Sequence, residues 1–310
     1  MTSSRRDFFR AAAALGATVP LLQSQPAAPH LQFPSEPRER LAVTSYPFRG
    51  YIDSPTNPAR DKSKPGMDLK EFPVMVAKRF GVHNINPLSN HLGSTDSAYL
   101  ESFRKAVADA GSHMVDFGLS GKNFSSADKS VRDDAVAYGK KWIDIAAIIG
   151  SPSVRQHLGG HGGVNPSIDN AAESLGRLAE YGATKNIIVN LENDSPGAED
   201  PFFIVAVLGK VDNPFLRGLP DFGNSLRGHD AAYNHKAVDA MFKYAYNMSH
   251  VKNVLATKDG HEYRVDVPGM FAVARANHYR GYFSMEYDTA AGEPFQGTEE
   301  LVRLSLKFMA

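Results

Sequence analysis

Residues 187–192 read IIVNLE, an apolar run that stops abruptly on the carboxylate of Glu192. Side chains alternate between the two faces of a β-strand, and in this run one column is wholly apolar. The other column turns polar only toward its carboxyl end, at Asn190 and Glu192. In a barrel of parallel strands, that end opens onto the active site. The stretch therefore predicts a barrel strand that points Glu192 into the barrel mouth.

The rest of the chain repeats this pattern, because short apolar runs alternate with longer amphipathic segments from residue 41 onward. The strand candidates are residues 41–46, 82–86, 113–119, 153–157, 187–192, 217–221, 250–255 and 282–287. Several amphipathic segments, among them 68–81, 130–150 and 168–182, end in a glycine, as a helix C-cap does. Eight strands that alternate with eight helices predict an α/β fold, a (β/α)8 TIM barrel over residues 38–310.

A doubly wound open sheet is the alternative architecture for such an alternation. It would need a glycine-rich phosphate turn after the first strand. Residues 45–58, SYPFRGYIDSPTNP, do not form such a turn, and their length indicates a long loop after the first strand instead. The barrel is therefore favoured.

The bulk composition excludes several classes of function. The 310 residues are 42% hydrophobic, and no linker or shift in composition marks a second domain. Basic and acidic residues number 34 each, without a block of like charge, so nothing supports a surface for nucleic acid or anionic membrane. The chain has no cysteine, which excludes disulfides, thiolate zinc sites and cysteine nucleophiles.

Residues 1–28 resemble a twin-arginine (Tat) export signal. Arg5 and Arg6 stand just before Phe8 and Phe9, and an alanine-rich apolar run and a short proline-containing segment follow. A charged region, an apolar region and a cleavage zone in this order are typical of signal peptides. We therefore expect export to the periplasm and no membrane association after cleavage. A short amphipathic helix or a membrane anchor is the alternative interpretation, although the run is short for a bilayer span.

Three further strand candidates carry polar residues at the same end. Asp221 ends the strand in LPDFGN, and Glu286 ends the strand in YFSMEY. Between them, SHVKN places His250 and Lys252 on one face. The successive spacings from Glu192 to Asp221, His250 and Glu286 are 29, 29 and 36 residues, each about one βα unit.

Four consecutive strands thus offer three carboxylates and one imidazole at the same end of the barrel. This set of ligands suits one hard or borderline divalent cation, such as Mn²⁺, Mg²⁺, Co²⁺ or Zn²⁺. Taken singly, each residue has an ordinary explanation as a solvated loop residue, a turn residue or a core histidine. The shared spacing is what favours a metal site.

The segments VNLEND, LPDFGN, SHVKN and YRGYFSMEYD resemble those of the sugar phosphate isomerase/epimerase superfamily, the xylose isomerase-like TIM barrels. The resemblance covers residues 41–310 and is strongest in the second half, where the order and spacing of all four motifs agree. It implies that one divalent metal is bound by Glu192, Asp221, His250 and Glu286. It also implies that the two glutamates transfer protons, and it places the lysine of the family motif at Lys252.

Three positions depart from the family pattern. Asn224 stands where many epimerases have a second histidine, and Asn253 replaces an aspartate of the strand-7 motif. Asn86 ends the second strand where many relatives have a glutamate. These departures leave the substrate unassigned and remove support for a catalytic residue on the second strand.

The resemblance implies a metal-dependent sugar isomerase or epimerase that transfers a proton next to a carbonyl, through an enediolate. Glu192 and Glu286 would remove and return the proton, and Lys252 would neutralise an oxygen of the intermediate. The candidate substrate-binding residues are Tyr46, Arg155, His157 and Asn224. The expected ligand is a small sugar or sugar derivative, and a homo-oligomer remains an open expectation.

Other hypotheses stay open at this point. A dehydratase or lyase acting on a keto-sugar or inosose would keep the metal but expel a β-hydroxyl. A non-catalytic periplasmic sugar-binding barrel would keep the pocket without the chemistry. The related apurinic endonuclease fold would need a three-metal cluster, more histidines and a basic DNA face, and the balanced charge speaks against it.

Overall fold

The computed structural model describes residues 28–159, 166–194, 196–257, 259–288 and 293–309. Apart from Ala28, the predicted signal over residues 1–28 lies outside the described residues. In the part of the chain that is described, no helix is long and apolar enough to cross a membrane.

Eight parallel strands form a closed barrel. The strands of the described residues are β1 (Leu41–Thr44), β2 (Asn84–Asn86), β3 (His113–Met114), β4 (Ser153–Arg155), β5 (Ile188–Glu192), β6 (Leu216–Leu219), β7 (Met248–Val251), β8 (Val254–Ala256), β9 (Glu262–Arg264) and β10 (Tyr282–Met285). Eight of these strands pair in the orders β3-β2-β1-β10-β7 and β4-β5-β6, and the other two, β8 and β9, pair with each other. Bridges from Gly118 to Arg155 and from Asp221 to His250 join the two sheets at both junctions. This closure of β1–β7 and β10 confirms the predicted (β/α)8 TIM barrel.

Helices surround the barrel and follow its strands. Those of the described residues are α1 (Phe72–Phe80), α2 (Ser97–Asp109), α3 (Lys129–Ile149), α4 (Ile168–Lys185), α5 (Pro201–Val211), α6 (Ala231–Phe242), α7 (Val267–Ala276) and α8 (Pro294–Met309). The side chain of Asp200 caps α5 by accepting from two backbone N–H groups of its first turn. Gly81 and Gly150 end α1 and α3 with φ angles of 61° and 80°, as the glycine pattern predicts.

The predicted end of α4 at Gly182 is wrong. The helix continues to Lys185, and Asn186 ends it with a φ angle of 55°. A Cβ atom at Gly182 would lie 2.4 Å from the carbonyl oxygen of Ile187. Gly182 therefore allows α4 to pack closely against the chain that leads into β5, which is a reason for glycine other than a helix end.

The single strand predicted over residues 250–255 is also wrong. β7 ends at Val251, and β8 pairs antiparallel with β9 in a hairpin that the sequence pattern did not predict. The backbone N–H of Val265 donates to the carbonyl of Asn253, so the chain has already left the barrel pairing there. Leu255 bridges to Asp288, which places this hairpin beside the carboxyl end of β10.

The barrel interior is layered along the strands. An apolar cluster that includes Tyr282 and Met248 fills the amino end. The next layer is polar, and its centre is the fully buried Asp116, which accepts hydrogen bonds from Ser153 Oγ at 2.5 Å and Asn190 Nδ2 at 2.9 Å. Asn190 precedes Glu192 by two residues on the same face of β5, so this polar layer supports the residues at the barrel mouth.

Candidate metal centre

Four side chains meet at the barrel mouth. Glu192 is the last residue of β5 and His250 lies within β7, while Asp221 and Glu286 lie just beyond β6 and β10. All four are buried, and one ligand atom from each lies within 4.8 Å of those from the other three. The structure thus brings together the four residues that the sequence placed on four consecutive barrel strands.

The carboxylate of Asp221 has one oxygen held by the backbone and one oxygen open to a ligand. Oδ1 accepts from the N–H groups of Gly223 at 2.8 Å and Asn224 at 2.7 Å. Oδ2 is buried and accepts no hydrogen bond from the described residues, although the Lys252 ammonium lies 3.3 Å away. Burial raises the pKa of Asp221 to about 7, against the opposing effect of Lys252. A buried carboxylate oxygen with free lone pairs suits a hard cation.

His250 faces carboxylates with one ring nitrogen and an amide with the other. Its Nδ1 lies 2.6 Å from Glu192 Oε1 and 3.7 Å from Glu286 Oε1. Its Nε2 lies 2.8 Å from Asn86 Oδ1. Burial alone would lower the pKa of His250, but Glu286 and Glu192 raise it to about 9. Because Nδ1 is the nitrogen that lies near both carboxylates, it is the one placed to share a cation with them once its hydrogen has left.

Lys252 lies inside the same cluster of charges. Its Nζ lies 3.0 Å from Glu286 Oε2 and donates to Asn224 Oδ1 at 2.9 Å, and its side chain is 1% exposed. Burial alone would lower the pKa of Lys252, but Asp221 and Glu286 raise it well above its usual value, so the ammonium stays charged. For the carboxyl group of Glu286 the effects are reversed. Burial alone would raise its pKa, but the positive charges of His250 and Lys252 lower it to about 2.

Arg155 is buried and contacts one of the candidate metal ligands. Its Nη1 lies 2.5 Å from Glu192 Oε2 and 2.7 Å from His157 Nε2. His157 Nδ1 in turn lies 2.9 Å from Glu199 Oε1. Burial alone would raise the pKa of Glu192, but His250 and Arg155 lower it to about 2. The structure therefore gives Arg155, predicted to bind substrate, a direct contact with a candidate ligand.

The other predicted substrate-binding residues lie at different depths. Tyr46 is partly buried and follows β1, which pairs with β10, so it lies on the Glu286 side of the mouth. Burial, followed by the charge of Asp288, raises the pKa of Tyr46. Asn224 is buried and bonded to Lys252, yet it also lines a cavity of about 350 Å³. His157 is partly exposed, and one of its ring nitrogens lies within 4.8 Å of carboxylate oxygens of Asp194 and Glu199.

The 350 Å³ cavity lies between the loops that follow β5 and β6. Its polar lining includes Asp194, Glu199, Arg227 and Tyr233. None of the four candidate metal ligands lines it. Asn224 connects the cavity to the metal centre, because it lines the cavity and also accepts a hydrogen bond from Lys252 Nζ. A concave pocket with a few convergent polar groups beside perturbed carboxylates is the usual form of a small-molecule site.

The sequence pattern missed three acidic residues near the centre. Asp288 Oδ2 lies 3.9 Å from Lys252 Nζ. Because Asp288 comes two residues after Glu286, the alternation of side chains along a strand could have predicted that both face the barrel mouth. Asp116 lies inside the barrel below the ligands, within a segment read only as an apolar strand. Glu199 lies in a loop and reaches His157, and no periodic pattern points to it.

The candidate centre lies in a chain whose sequence matches a known family. Residues 75–310 match the model of the xylose isomerase-like TIM barrel family. No curated protein sequence matches the chain significantly.

Three solved structures share the fold at low identity. D-psicose 3-epimerase from Clostridium cellulolyticum H10, solved with D-tagatose, is 12% identical with a TM-score of 0.64, over 87% of this chain and 96% of that one. A xylose isomerase-like TIM barrel protein from Mycobacterium smegmatis, in complex with magnesium, is 18% identical with a TM-score of 0.63, over 87% and 98%. 3-Keto-D-glucoside 4-epimerase from E. coli is 13% identical with a TM-score of 0.62, over 86% and 99%. At these identities the likeness shows a common fold, and the family match shows that the chain belongs to the xylose isomerase-like TIM barrel family.

Proposed function

We propose that this member of the xylose isomerase-like TIM barrel family is a divalent-metal-dependent sugar isomerase or epimerase that transfers a proton next to a carbonyl. One observation carries the proposal. Two glutamates from different strands, Glu192 and Glu286, face the same nitrogen of His250, and the open oxygen of Asp221 belongs to the same buried group. Two carboxylates and a cation site in one enclosed place are what a proton transfer beside a carbonyl requires.

We assign the cation to four residues of the barrel mouth: Glu192, Asp221, His250 and Glu286. The donor set of three carboxylates and one imidazole fits Mn²⁺, Mg²⁺, Co²⁺ or Zn²⁺. When bound, such a cation supplies positive charge to the substrate oxygens that become negative as the proton leaves. The buried Oδ2 of Asp221, which accepts no hydrogen bond from the part of the chain that is described, supports the assignment most directly.

We assign the proton transfer to Glu192 and Glu286. Both have a pKa of about 2, so both are ionised at neutral pH. Either carboxylate can accept the substrate proton, and the neutral carboxylic acid formed in that step can return it. Arg155 and Lys252 each contact one of the two carboxylates, at Glu192 Oε2 and Glu286 Oε2 respectively. These contacts leave the remaining oxygens oriented toward His250, and they hold each glutamate in one position.

The proposed substrate is a small sugar or sugar derivative with a carbonyl group. It would enter through the cavity beside Asn224, where Arg227 and Tyr233 offer polar groups. The structural neighbours include a D-psicose 3-epimerase and a 3-keto-D-glucoside 4-epimerase, which makes ketoses and 3-keto-glucosides the first compounds to test.

We also propose that residues 1–28 direct export through the twin-arginine route to the periplasm. The support is the sequence order alone, Arg5-Arg6 followed by an apolar run. Replacing both arginines with lysine should retain the protein in the cytoplasm of a Tat-competent bacterium. Export that continues unchanged in that variant would contradict the proposal.

The direct test is incubation of the metal-loaded protein with ketoses, aldoses, 3-keto-glucosides and inososes in D₂O. Deuterium at a carbon next to the carbonyl, with an epimer or isomer as product, is the expected result. Loss of water, seen as an ultraviolet-absorbing conjugated enone, would support a dehydratase instead. Binding of metal and sugar without any exchange would support a sugar-binding barrel.

A further inference from the structure

Asn86 contacts the ring nitrogen of His250 that points away from the two glutamates. Its Oδ1 lies 2.8 Å from His250 Nε2, and its Nδ2 donates to Asp116 Oδ2 at 3.1 Å. Asn86 is 1% exposed and Asp116 is fully buried. The proton transfer proposed above uses neither residue, so the contacts need a separate explanation.

The direction of each hydrogen bond follows from the chemistry of the groups. Oδ1 of Asp116 accepts hydrogen bonds from Ser153 Oγ and Asn190 Nδ2. Oδ2 of Asp116 accepts a hydrogen bond from the amide NH₂ of Asn86. This contact fixes the Asn86 amide with its Oδ1 toward His250. An amide oxygen only accepts, so His250 Nε2 must carry a hydrogen. Nδ1, which lies 2.6 Å from Glu192 Oε1, is then the nitrogen that would give up its hydrogen and bind a cation.

We propose that Asn86 and Asp116 are positioning residues that hold the His250 ring and its Nε2–H tautomer, so that Nδ1 can bind the divalent cation. The proposal rests on the metal centre of the proposed function. A metal-bound histidine commonly donates its second N–H to an oxygen, and loss of that oxygen weakens the metal site. In this chain an amide takes that place, and a buried aspartate sets the orientation of the amide.

The first test is calorimetric titration of Mn²⁺ into protein stripped with EDTA. Asn86→Leu removes the acceptor without changing charge, and it should weaken the Mn²⁺ Kd by about 10–100-fold. Asn86→Asp keeps an oxygen toward His250 and can share a proton with Asp116, so it should recover most of the affinity.

Asn84→Leu is the matched control for these variants. Asn84 is also buried on β2, and its Nδ2 donates to the carbonyls of Glu39 and Leu41, away from the centre. This substitution should lower the melting temperature and leave the Mn²⁺ Kd unchanged.

The second test reads the histidine tautomer. In protein labelled with ¹⁵N-histidine and loaded with Zn²⁺, the His250 resonances should show hydrogen on Nε2 only. Asp116→Asn allows the Asn86 amide to turn round, because an amide at position 116 can donate to Asn86 Oδ1. We therefore expect that variant to weaken Mn²⁺ binding and to alter the His250 signals.

The outcomes separate the inference from the proposed function. If the wild-type protein binds no divalent cation, the metal-dependent function fails. If the wild type binds Mn²⁺ and a folded Asn86→Leu variant binds it equally well, the positioning role alone is overturned. If Asn86→Leu does not fold, Asp116→Asn decides the question, and an unchanged Kd with unchanged His250 signals contradicts the role.

Discussion

The ammonium of Lys252 lies 3.0 Å from Glu286 Oε2, and the two side chains are 1% and 8% exposed. Three carboxylates converge at this place, where burial makes repulsion between them strong. Lys252 and Arg155 therefore supply fixed positive charge within a centre that we propose also binds a cation. Replacing one of these two cations should therefore change the stability or the activity of the protein.

Lys252→Met should lower the free energy of unfolding in EDTA by about 3–5 kcal/mol, because it leaves buried carboxylates without their partner. Mg²⁺ or Mn²⁺ should restore part of the loss, since a cation that binds only the folded state stabilises it. Urea unfolding with and without metal measures both effects. Lys210→Met, which removes an exposed ion pair with Asp169, should cost less than about 1 kcal/mol. Equal losses in the two variants would contradict the buried role of Lys252.

Arg155→Gln should reduce kcat for substrate deuterium exchange by about 100-fold, because Glu192 loses the contact that holds its carboxylate in place. KM should stay close to that of the wild type, since the guanidinium faces Glu192 and His157. Steady-state exchange rates measured by NMR give both constants. Arg177→Gln, on the exposed face of α4, is the control and should change neither constant. A large rise in KM with kcat preserved would restore the original interpretation of Arg155 as a substrate ligand.

Gly182→Ala should destabilise the protein by about 1–3 kcal/mol, because the added Cβ would lie 2.4 Å from the Ile187 carbonyl oxygen. Gly176→Ala in the same helix has its nearest contact at 3.8 Å, and it should stabilise the protein by about 0.5–1 kcal/mol through helix propensity. Opposite signs in urea denaturation are the expected result. A gain in both variants would show that α4 does not approach β5 as closely as described.

The buried, neutral His91 should lower the free energy of unfolding as the solution becomes mildly acidic. Burial lowers the pKa of His91 to about 4, and its Nδ1 lies 2.7 Å from Ser45 Oγ. The unfolded chain takes up a proton near pH 6.5 while the folded protein does not until near pH 4, so stability falls as the pH drops through this window.

The His91 contribution lost between pH 7.5 and pH 5 should be about 2 kcal/mol. Because other groups also titrate, the measurement is the difference between the unfolding profiles of the wild type and His91→Gln. That difference should shrink toward acidic pH. Parallel profiles would contradict the neutral, buried histidine.

How far sequence reasoning reached depends on the kind of signal. The period-two alternation of β5 and β10 predicted that Glu192 and Glu286 point into the barrel mouth, and the structure places both there. Spacing along the chain could not show that Arg155 contacts Glu192, because this contact joins neighbouring strands through long side chains. The hairpin of β8 and β9 was missed because His250 and Lys252 share one face, as they would in one continuous strand, whereas β7 ends at Val251 and the backbone then leaves the barrel pairing.

The central claim is that Glu286 is one of two carboxylates that move a proton next to a substrate carbonyl. The most direct measurement is deuterium incorporation from D₂O into an accepted sugar, compared among the wild type, Glu286→Gln and Glu300→Gln, an exposed glutamate of α8. Each protein should be saturated with Mn²⁺, and the bound metal should be measured, so that loss of the cation is not mistaken for loss of the base. We predict that Glu286→Gln with metal bound loses exchange by at least about 100-fold, while Glu300→Gln exchanges at the wild-type rate. Exchange at the wild-type rate in metal-loaded Glu286→Gln would contradict the account.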